Sequence, residues 1–404
     1  MKNQKMFFTA LFLLGASLFS QAQSVQVQPI NTAVPFLNYA PDARASAMGE
    51  CGVATDADAF SMFYNPAKYA FMEQKHTMIS TGFALYSSPL TSPRPVLLLD
   101  AFAQKIGNSA IAATARYYSS ESIELRDEYN NYLGEYRPRE FAFDVAYAYR
   151  FGEYFSAGVA GRLIYSSLFG MGYYNSTEAL SVAGDVSAYY KRPLGRVIDL
   201  SLGASITDIG TKMHYNSFSG KKDFIPTTLR LGSGVKFKFN QNNSLAVNLQ
   251  LSKLLVPSTP IIARDPFSGQ PIVDPNTGEY QIQYGYDNNV SVFKGMIQSF
   301  YDAPGHGYNY EGMIVEYPGG AFYEELCEIN TGIGLEYNLF NHGFFRCGYY
   351  HQPALKGGNK HVSLGAGMRF GIFGMDVSYT IPVNTVVGTN PYENSIRWDM
   401  YFAF

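Results

Sequence analysis

Ile396-Arg397-Trp398-Asp399-Met400-Tyr401-Phe402-Ala403-Phe404 closes the chain, and its alternation decides the fold class. Successive side chains of a strand point to opposite faces. Ile396, Trp398, Met400, Phe402 and Phe404 therefore share one face, and Arg397, Asp399, Tyr401 and Ala403 share the other. A continuous apolar face opposite two charges needs lipid or a core on one side and water on the other.

The pattern recurs along the chain. Phe141–Tyr149 sets large apolar residues against Ala142, Asp144, Ala146 and Ala148. Leu229–Phe239 sets Leu229, Leu231, Val235, Phe237 and Phe239 against Arg230, Lys236 and Lys238. Leu245–Leu251 and Ile333–Leu339 alternate in the same way, and the charged parity is filled out by Gly, Ala and amides. A sandwich strand alternates too, so the count decides. Strands are expected near 75–87, 93–105, 109–119, 139–151, 154–166, 179–191, 197–207, 226–239, 243–254, 324–339, 342–351, 359–370, 374–381 and 393–404. That makes an all-β transmembrane barrel of about fourteen antiparallel strands. Short turns at 106–108, 152–153, 192–196, 240–242, 340–341 and 371–373 alternate with other connections, the longest at 120–138, 167–178, 208–225, 255–323 and 382–392. Outer-membrane barrels pair tight periplasmic turns with long outer loops in this manner. An even strand count predicts both termini on the periplasmic side. The terminal Phe404 also resembles the closing strand of bacterial outer-membrane barrels, where a terminal aromatic is read during assembly.

The other end of the chain supplies the route. Lys2 and Lys5 precede the apolar stretch Met6–Phe19, and Ser20-Gln21-Ala22 offers small residues for cleavage, so 1–22 reads as a secretory signal peptide. Beyond it no apolar run approaches the ~20 residues of a membrane helix, a test that barrel strands of ~10 half-polar residues escape. The 32 Tyr, 30 Phe and 38 Gly, with 16% charged residues, suit a barrel with aromatic girdles. A net charge of −3 without a basic run gives no support to nucleic-acid binding. Cys51, Cys327 and Cys347 cannot all pair with one another, and they are expected as buried free thiols, with one bridge left open.

Two segments fall outside the wall. Residues 23–74 are glycine-punctuated and read as a plug in the periplasmic mouth, ahead of a barrel over 75–404. The loop 255–323 exceeds what a connection needs, and such loops are usually functional or disordered. Its Asp-Pro-x-x-Gly turns at Asp265–Gly269 and Asp274–Gly278 predict a hairpin arm. Asn289–Tyr301 predicts a short amphipathic helix carrying Val292, Phe293, Met296, Ile297 and Phe300. Asp274-x-Asn276-x-Gly278-Glu279 lacks the spacing of a calcium loop and reads as a turn. His351 and His361 read as rim histidines. The six scattered histidines give no hydrolase triad, so no catalytic residue, metal ligand or cofactor is assigned. Strand charges such as Asp144, Arg162, Glu336, Arg397 and Asp399 suit either a conduction path or an interior network.

The block Asn31–Met72 adds a resemblance. Gly49-x-x-Gly52-Val53-Ala54, Asp56-Ala57-Asp58-Ala59 and Asn65-Pro66-Ala67 resemble the N-terminal region of the FadL superfamily of barrels. Ala33-Val34-Pro35-Phe36-Leu37, Ala40-Pro41-Asp42-Ala43-Arg44-Ala45, Met48-Gly49 and Asn65-Pro66-Ala67-Lys68-Tyr69-Ala70-Phe71 look like the PorV family. Ser46-Ala47 departs from the two glycines more usual in that family. The resemblance implies the outer-membrane component of the Bacteroidetes type IX secretion system, without catalysis. It implies a large translocon barrel, the C-terminal signal domains of secreted cargo and surface-attachment components as partners, in contact with membrane lipid. It also implies a structural plug role for Pro35, Phe36, Pro41, Asp42, Arg44, Gly49, Gly52, Asn65 and Pro66. Phe293, Phe300, Tyr301 and Tyr308 in the long loop are the expected partner anchors. The competing expectation is a FadL-type transporter of hydrophobic small molecules.

Overall fold

The computed structural model describes residues 27–404, apart from 73–75, 87–94, 127–128, 169–177, 216–221, 266–267, 276–277, 310–311 and 384–393. The expected signal peptide lies outside the described residues. The first seven wall strands are β1 (Thr77–Leu85), β2 (Val96–Ile106), β3 (Ser109–Ser119), β4 (Arg139–Phe151), β5 (Phe155–Ser167), β6 (Ala179–Leu194) and β7 (Ile198–Gly210). The remainder are β8 (Thr228–Lys238), β9 (Ser244–Leu254), β10 (Ile329–Leu339), β11 (Gly343–His351), β12 (Lys360–Phe370), β13 (Phe373–Pro382) and β14 (Ile396–Ala403). Each pairs antiparallel with its chain neighbour, and β14 returns to β1 with Ile79 opposite Phe402 and Phe83 opposite Trp398, closing the barrel. Closure removes every sheet edge, the requirement for a sheet in lipid.

The two faces of the closing strand are resolved by burial. Ile396 and Phe402 are 44% and 43% exposed on the outside, whereas Arg397 and Asp399 are each 1% exposed inside. Strand β4 repeats this, with Phe141, Phe143, Val145, Tyr147 and Tyr149 outward and Ala142, Asp144, Ala146 and Ala148 inward. Large apolar outside and small or polar inside is the reverse of a soluble core, and it fits a lipid-facing wall.

The tight turns share one rim, and the long connections share the other. Phe404 exchanges backbone hydrogen bonds with Thr77 at the short-turn rim (2.9 and 3.0 Å). The first described residues lie at the opposite rim. Gln28 donates to the Leu355 carbonyl (3.0 Å) and Ala33 to that of Phe224 (2.8 Å), both in long connections. Strand parity, from which both ends are expected on the periplasmic side, governs only the wall and is blind to a segment threaded through the lumen. From Gln28 the chain descends through the barrel to the far rim, where Lys105 Nζ donates to the Met72 carbonyl (2.8 Å). The plug thus spans the lumen rather than sitting in one mouth.

Three further differences have local causes. The strand expected at 324–339 begins only at Ile329, because Gly320–Leu326 turns helical after Gly319, whose φ angle is +90°. The loop 120–138 contains a small hairpin, Ile123–Arg126 against Tyr132–Tyr136. All three cysteines are free, but Cys347 lies on the exposed outer face of β11 while Cys51 and Cys327 are buried.

Candidate functional site

Local sequence shapes the plug before the wall grips it. Pro35 opens a 3-10 turn over Pro35–Asn38, and buried Phe36 stacks on Tyr118 (ring centres 5.8 Å). Asp42, following buried Pro41, caps the helix α1 (Ala43–Ser46) by accepting from Ala45 N (2.8 Å). Asn65 caps the Pro66–Phe71 turn through Ala67 N (3.1 Å), and its amide donates to the carbonyls of Val53 and Ala188 (2.9 Å each). Gly49 has φ +63°, and Gly52 lies so close to the Tyr64 ring that a Cβ would come within 2.2 Å. The wall thins to admit this backbone. A Cβ on Gly348 would lie 2.1 Å from Gly49 N, and one on Gly203 would lie 2.1 Å from the Val53 carbonyl.

Inward charges of the wall then pair with the plug. Arg44 reaches Glu336 through two bonds (2.9 and 3.0 Å) and Asp58 at 2.9 Å, while Arg346 bridges Glu336 (2.7 Å) to Asp376 (2.6 Å). Asp399 accepts from Ala43 N (2.6 Å), and Arg397 donates to the Ala40 carbonyl (2.8 Å). Arg162 gathers Asp144, Asp185 and Asp208 in the wall. Lys191 and Lys236 both hold Asp56 (2.9 Å each). Buried charges persist only when paired, and these form an interior network rather than a lined conduit. His361 belongs to this interior: it is 1% exposed, stacked on Tyr350 and 3.9 Å from Glu50. The expectation of a rim histidine is corrected for His361, because the plug covers its end of β12.

The other candidate surface is the long loop between β9 and β10. Its hairpin arm is built around the two Asp-Pro turns, closed by Gly269 N to Asp265 O and Gly278 N to Asp274 O (2.8 Å each). The expected helix is present as α2 (Val292–Gln298), and a second helix missed by periodicity, α3 (Gly320–Leu326), follows. Helix α2 buries its small and polar side. Gly295 abuts the Phe224 ring, and Gln298 donates to the Asp287 carbonyl (2.9 Å) and to Asp302 Oδ2 (3.2 Å). Phe293, Ile297, Phe300 and Tyr301 are left 70%, 66%, 53% and 54% exposed, and α3 adds Phe322 at 75%. A helix of a soluble domain faces its apolar stripe to the core; here only Val292 packs on the cluster of Phe224, Val256 and Val290, and the larger apolar side chains face out. Tyr308 does not share that exposure: it is half-buried in a short ladder with Arg264 5.7 Å from its ring centre.

Charges clamp the loop to the rim. Lys253 of β9 pairs with Glu325 (3.2 Å) and Glu328, and Lys356 pairs with Glu324 (2.6 Å) and Glu328 (3.0 Å). Burial works against the Lys356 ammonium, but the Glu328 and Glu324 carboxylates outweigh it and hold its pKa above the ordinary lysine value. Asp302 accepts from Ser258 N (3.2 Å), and burial raises its pKa to about 7. Among the described residues no group of three or more His, Cys, Asp or Glu is placed to hold a metal.

These features define a class: a closed barrel of fourteen antiparallel strands with FadL-like architecture, its lumen filled by its own N-terminal segment. Residues 21–261 match the family described as type IX secretion system protein PorV. The chain belongs to the PorV family, and the barrel and the family together point to a secretion component of the outer membrane. No curated protein matches it. Solved structures are similar in fold. The TodX deltaS2S3 mutant, a monoaromatic hydrocarbon channel, is 12% identical over 90% of this chain and 99% of its own, with TM-score 0.51. The toluene transporter TodX of Pseudomonas putida is 12% identical (94% and 98% covered, TM-score 0.49). A FadL homologue of Pseudomonas aeruginosa is 11% identical (94% and 100% covered, TM-score 0.44).

Proposed function

We propose that this barrel is a non-enzymatic carrier of the type IX secretion pathway that takes its partners on the crown of the long loop. The observation that carries the reading is helix α2 and the turn after it, where Phe293, Ile297 and Phe300 face outward while Gly295 and Gln298 are buried beneath. Burying Phe293, Ile297 and Phe300 against a partner contributes about 1.5–3 kcal/mol each. Aromatic anchors at the centre of an interface dominate its affinity. The partners that fit are the larger translocon barrel and the C-terminal signal domains of cargo, which the carrier would pass on for surface attachment. A lumen occupied by backbone and ion pairs suits a role in which the protein itself conducts nothing.

Replacing Phe293, Ile297 and Phe300 together with Ser tests this. Co-purification of the larger barrel and of cargo should fall, and cargo should accumulate in the periplasm with its C-terminal domain uncleaved. Unchanged secretion with that triple variant would set the crown aside. A transporter of hydrophobic small molecules would instead need an apolar path. The cavity of about 320 Å³ at the long-loop rim mixes Pro29, Ile30 and Leu254 with the charged pair Glu328 and Lys356. Impaired uptake of hydrophobic compounds, with secretion intact, would favour the transporter.

A further inference from the structure

Strand β2 carries a charge where lipid should be. Its outward positions are Val96, Leu98, Asp100, Phe102, Gln104 and Ile106, and Asp100 stands near the middle of the strand. Leu98 and Phe102 on either side are exposed to the surroundings of the barrel, as is Asp100. Mid-strand, no other outward position among the described residues carries Asp, Glu, Lys or Arg. No hydrogen bond or ion pair within the described chain engages the Asp100 side chain. A carboxylate facing acyl chains is unfavourable in proportion to its depth, and intramembrane charges accordingly mark function and pair with something.

The surface around Asp100 is shaped as well as charged. Register places Met400, Thr81, Asp100, Ala115 and Phe143 in one row across five strands. Thr81, Ala113 and Ala115 make a low floor beside Asp100, walled by Phe143 and Met400, in a depression of about 440 Å³. Small residues let a neighbouring transmembrane element approach closely. A second copy is a poor occupant, because the same face would set Asp100 against Asp100, and no outward mid-strand position among the described residues carries Lys or Arg.

We propose that the β1–β3 wall around Asp100 is an intramembrane docking site for a different membrane protein presenting an arginine or lysine at the same depth. This site is separate from the loop crown and stands whether or not the crown binds cargo. It supplies a lateral contact whose specificity comes from one desolvated ion pair in a shallow pocket.

The test uses the full-length protein in native outer membranes, with a benzophenone-bearing phenylalanine at Ala115 and, as control, at Leu249 on β9. Irradiation should give a protein adduct from Ala115 and not from Leu249. The cross-linked peptide should be a transmembrane segment of another protein containing Arg or Lys. Asp100→Asn should lower the adduct about tenfold or more, the loss expected on removing one partner of a desolvated pair. Should that variant assemble poorly, Thr81→Trp fills the depression, keeps Asp100 and should abolish the adduct. Adducts to lipid alone, to a second copy or to a peptide without Arg or Lys would overturn the proposal. An adduct undiminished by either substitution would overturn it too.

Discussion

Removing Arg44 probes what keeps the lumen closed. Arg44 is 6% exposed, and its guanidinium holds Glu336 on the wall, Asp58 on the plug and the Asp56 carbonyl (3.0 Å) at once. Truncation to Ala leaves the buried Glu336 and the half-buried Asp58 each short of a partner. Breaking a buried pair from one side costs about 3–5 kcal/mol. Glu336 keeps Arg346 at 2.7 Å and Asp58 keeps Ser61 at 3.0 Å, so the lower end applies. A cost of about 3 kcal/mol, at 1.36 kcal/mol per decade, raises the population of plug-displaced barrels about a hundredfold. Planar-bilayer recording is the assay. The wild-type barrel should be electrically silent and Arg44→Ala should show brief openings. Adding Glu336→Gln, which removes one stranded charge, should recover part of the closure. Silence of Arg44→Ala, with an unchanged heat-unfolding temperature, would refute the assignment of the plug's anchorage to this network.

Other consequences follow from the same contacts. Gly348→Leu drives a side chain into the backbone of Gly49, 2.1 Å from the new Cβ; overpacking against backbone costs about 3 kcal/mol, and the heat-modifiability midpoint should fall. Lys356→Met takes from Glu324 its only salt-bridge partner among the described residues and leaves Glu328 to Lys253, and it should raise proteolysis within 255–323 while leaving the barrel intact. Asp302 has its pKa raised by burial from 3.8 to about 7, so between those values the packed loop binds the more protons. The contribution of Asp302 to loop packing is then greatest below about pH 4, falls as pH rises toward 7 and levels off above it. Hydrogen exchange at α2, corrected for intrinsic rates, should be faster at pH 8 than at pH 5, and Asp302→Asn should flatten that difference.

The wall was legible because lipid enforces it. A strand such as Phe141–Phe151 must alternate along its whole length, and strands 109–119 and 139–151 coincide with β3 and β4. The plug residues were legible only as a cluster of turn formers and family motifs. Their partners, Glu336 or Asp399 hundreds of residues away, are matters of register that one sequence does not display. Helix α3 straddles the boundary between the loop 255–323 and the strand expected at 324–339, because seven residues give too few turns for a period to show. The spacing of 289–301 shows an amphipathic helix, yet the outward aromatic face of α2 depends on Phe224 and Asp302 lying beneath it. Asp100 stayed hidden inside Leu97-Leu98-Leu99-Asp100-Ala101-Phe102, where apolar residues occupy both parities and neither face declares itself.

The most direct measurement is affinity purification from native outer membranes of the wild type and of the Phe293→Ser, Ile297→Ser, Phe300→Ser variant, each checked for heat-modifiable folding. The expected result is that the wild type brings down the larger secretion barrel and cargo bearing its C-terminal domain, and that the folded variant loses at least one of them. Equal recovery of both partners by a correctly folded variant would contradict the reading of the crown as the docking surface.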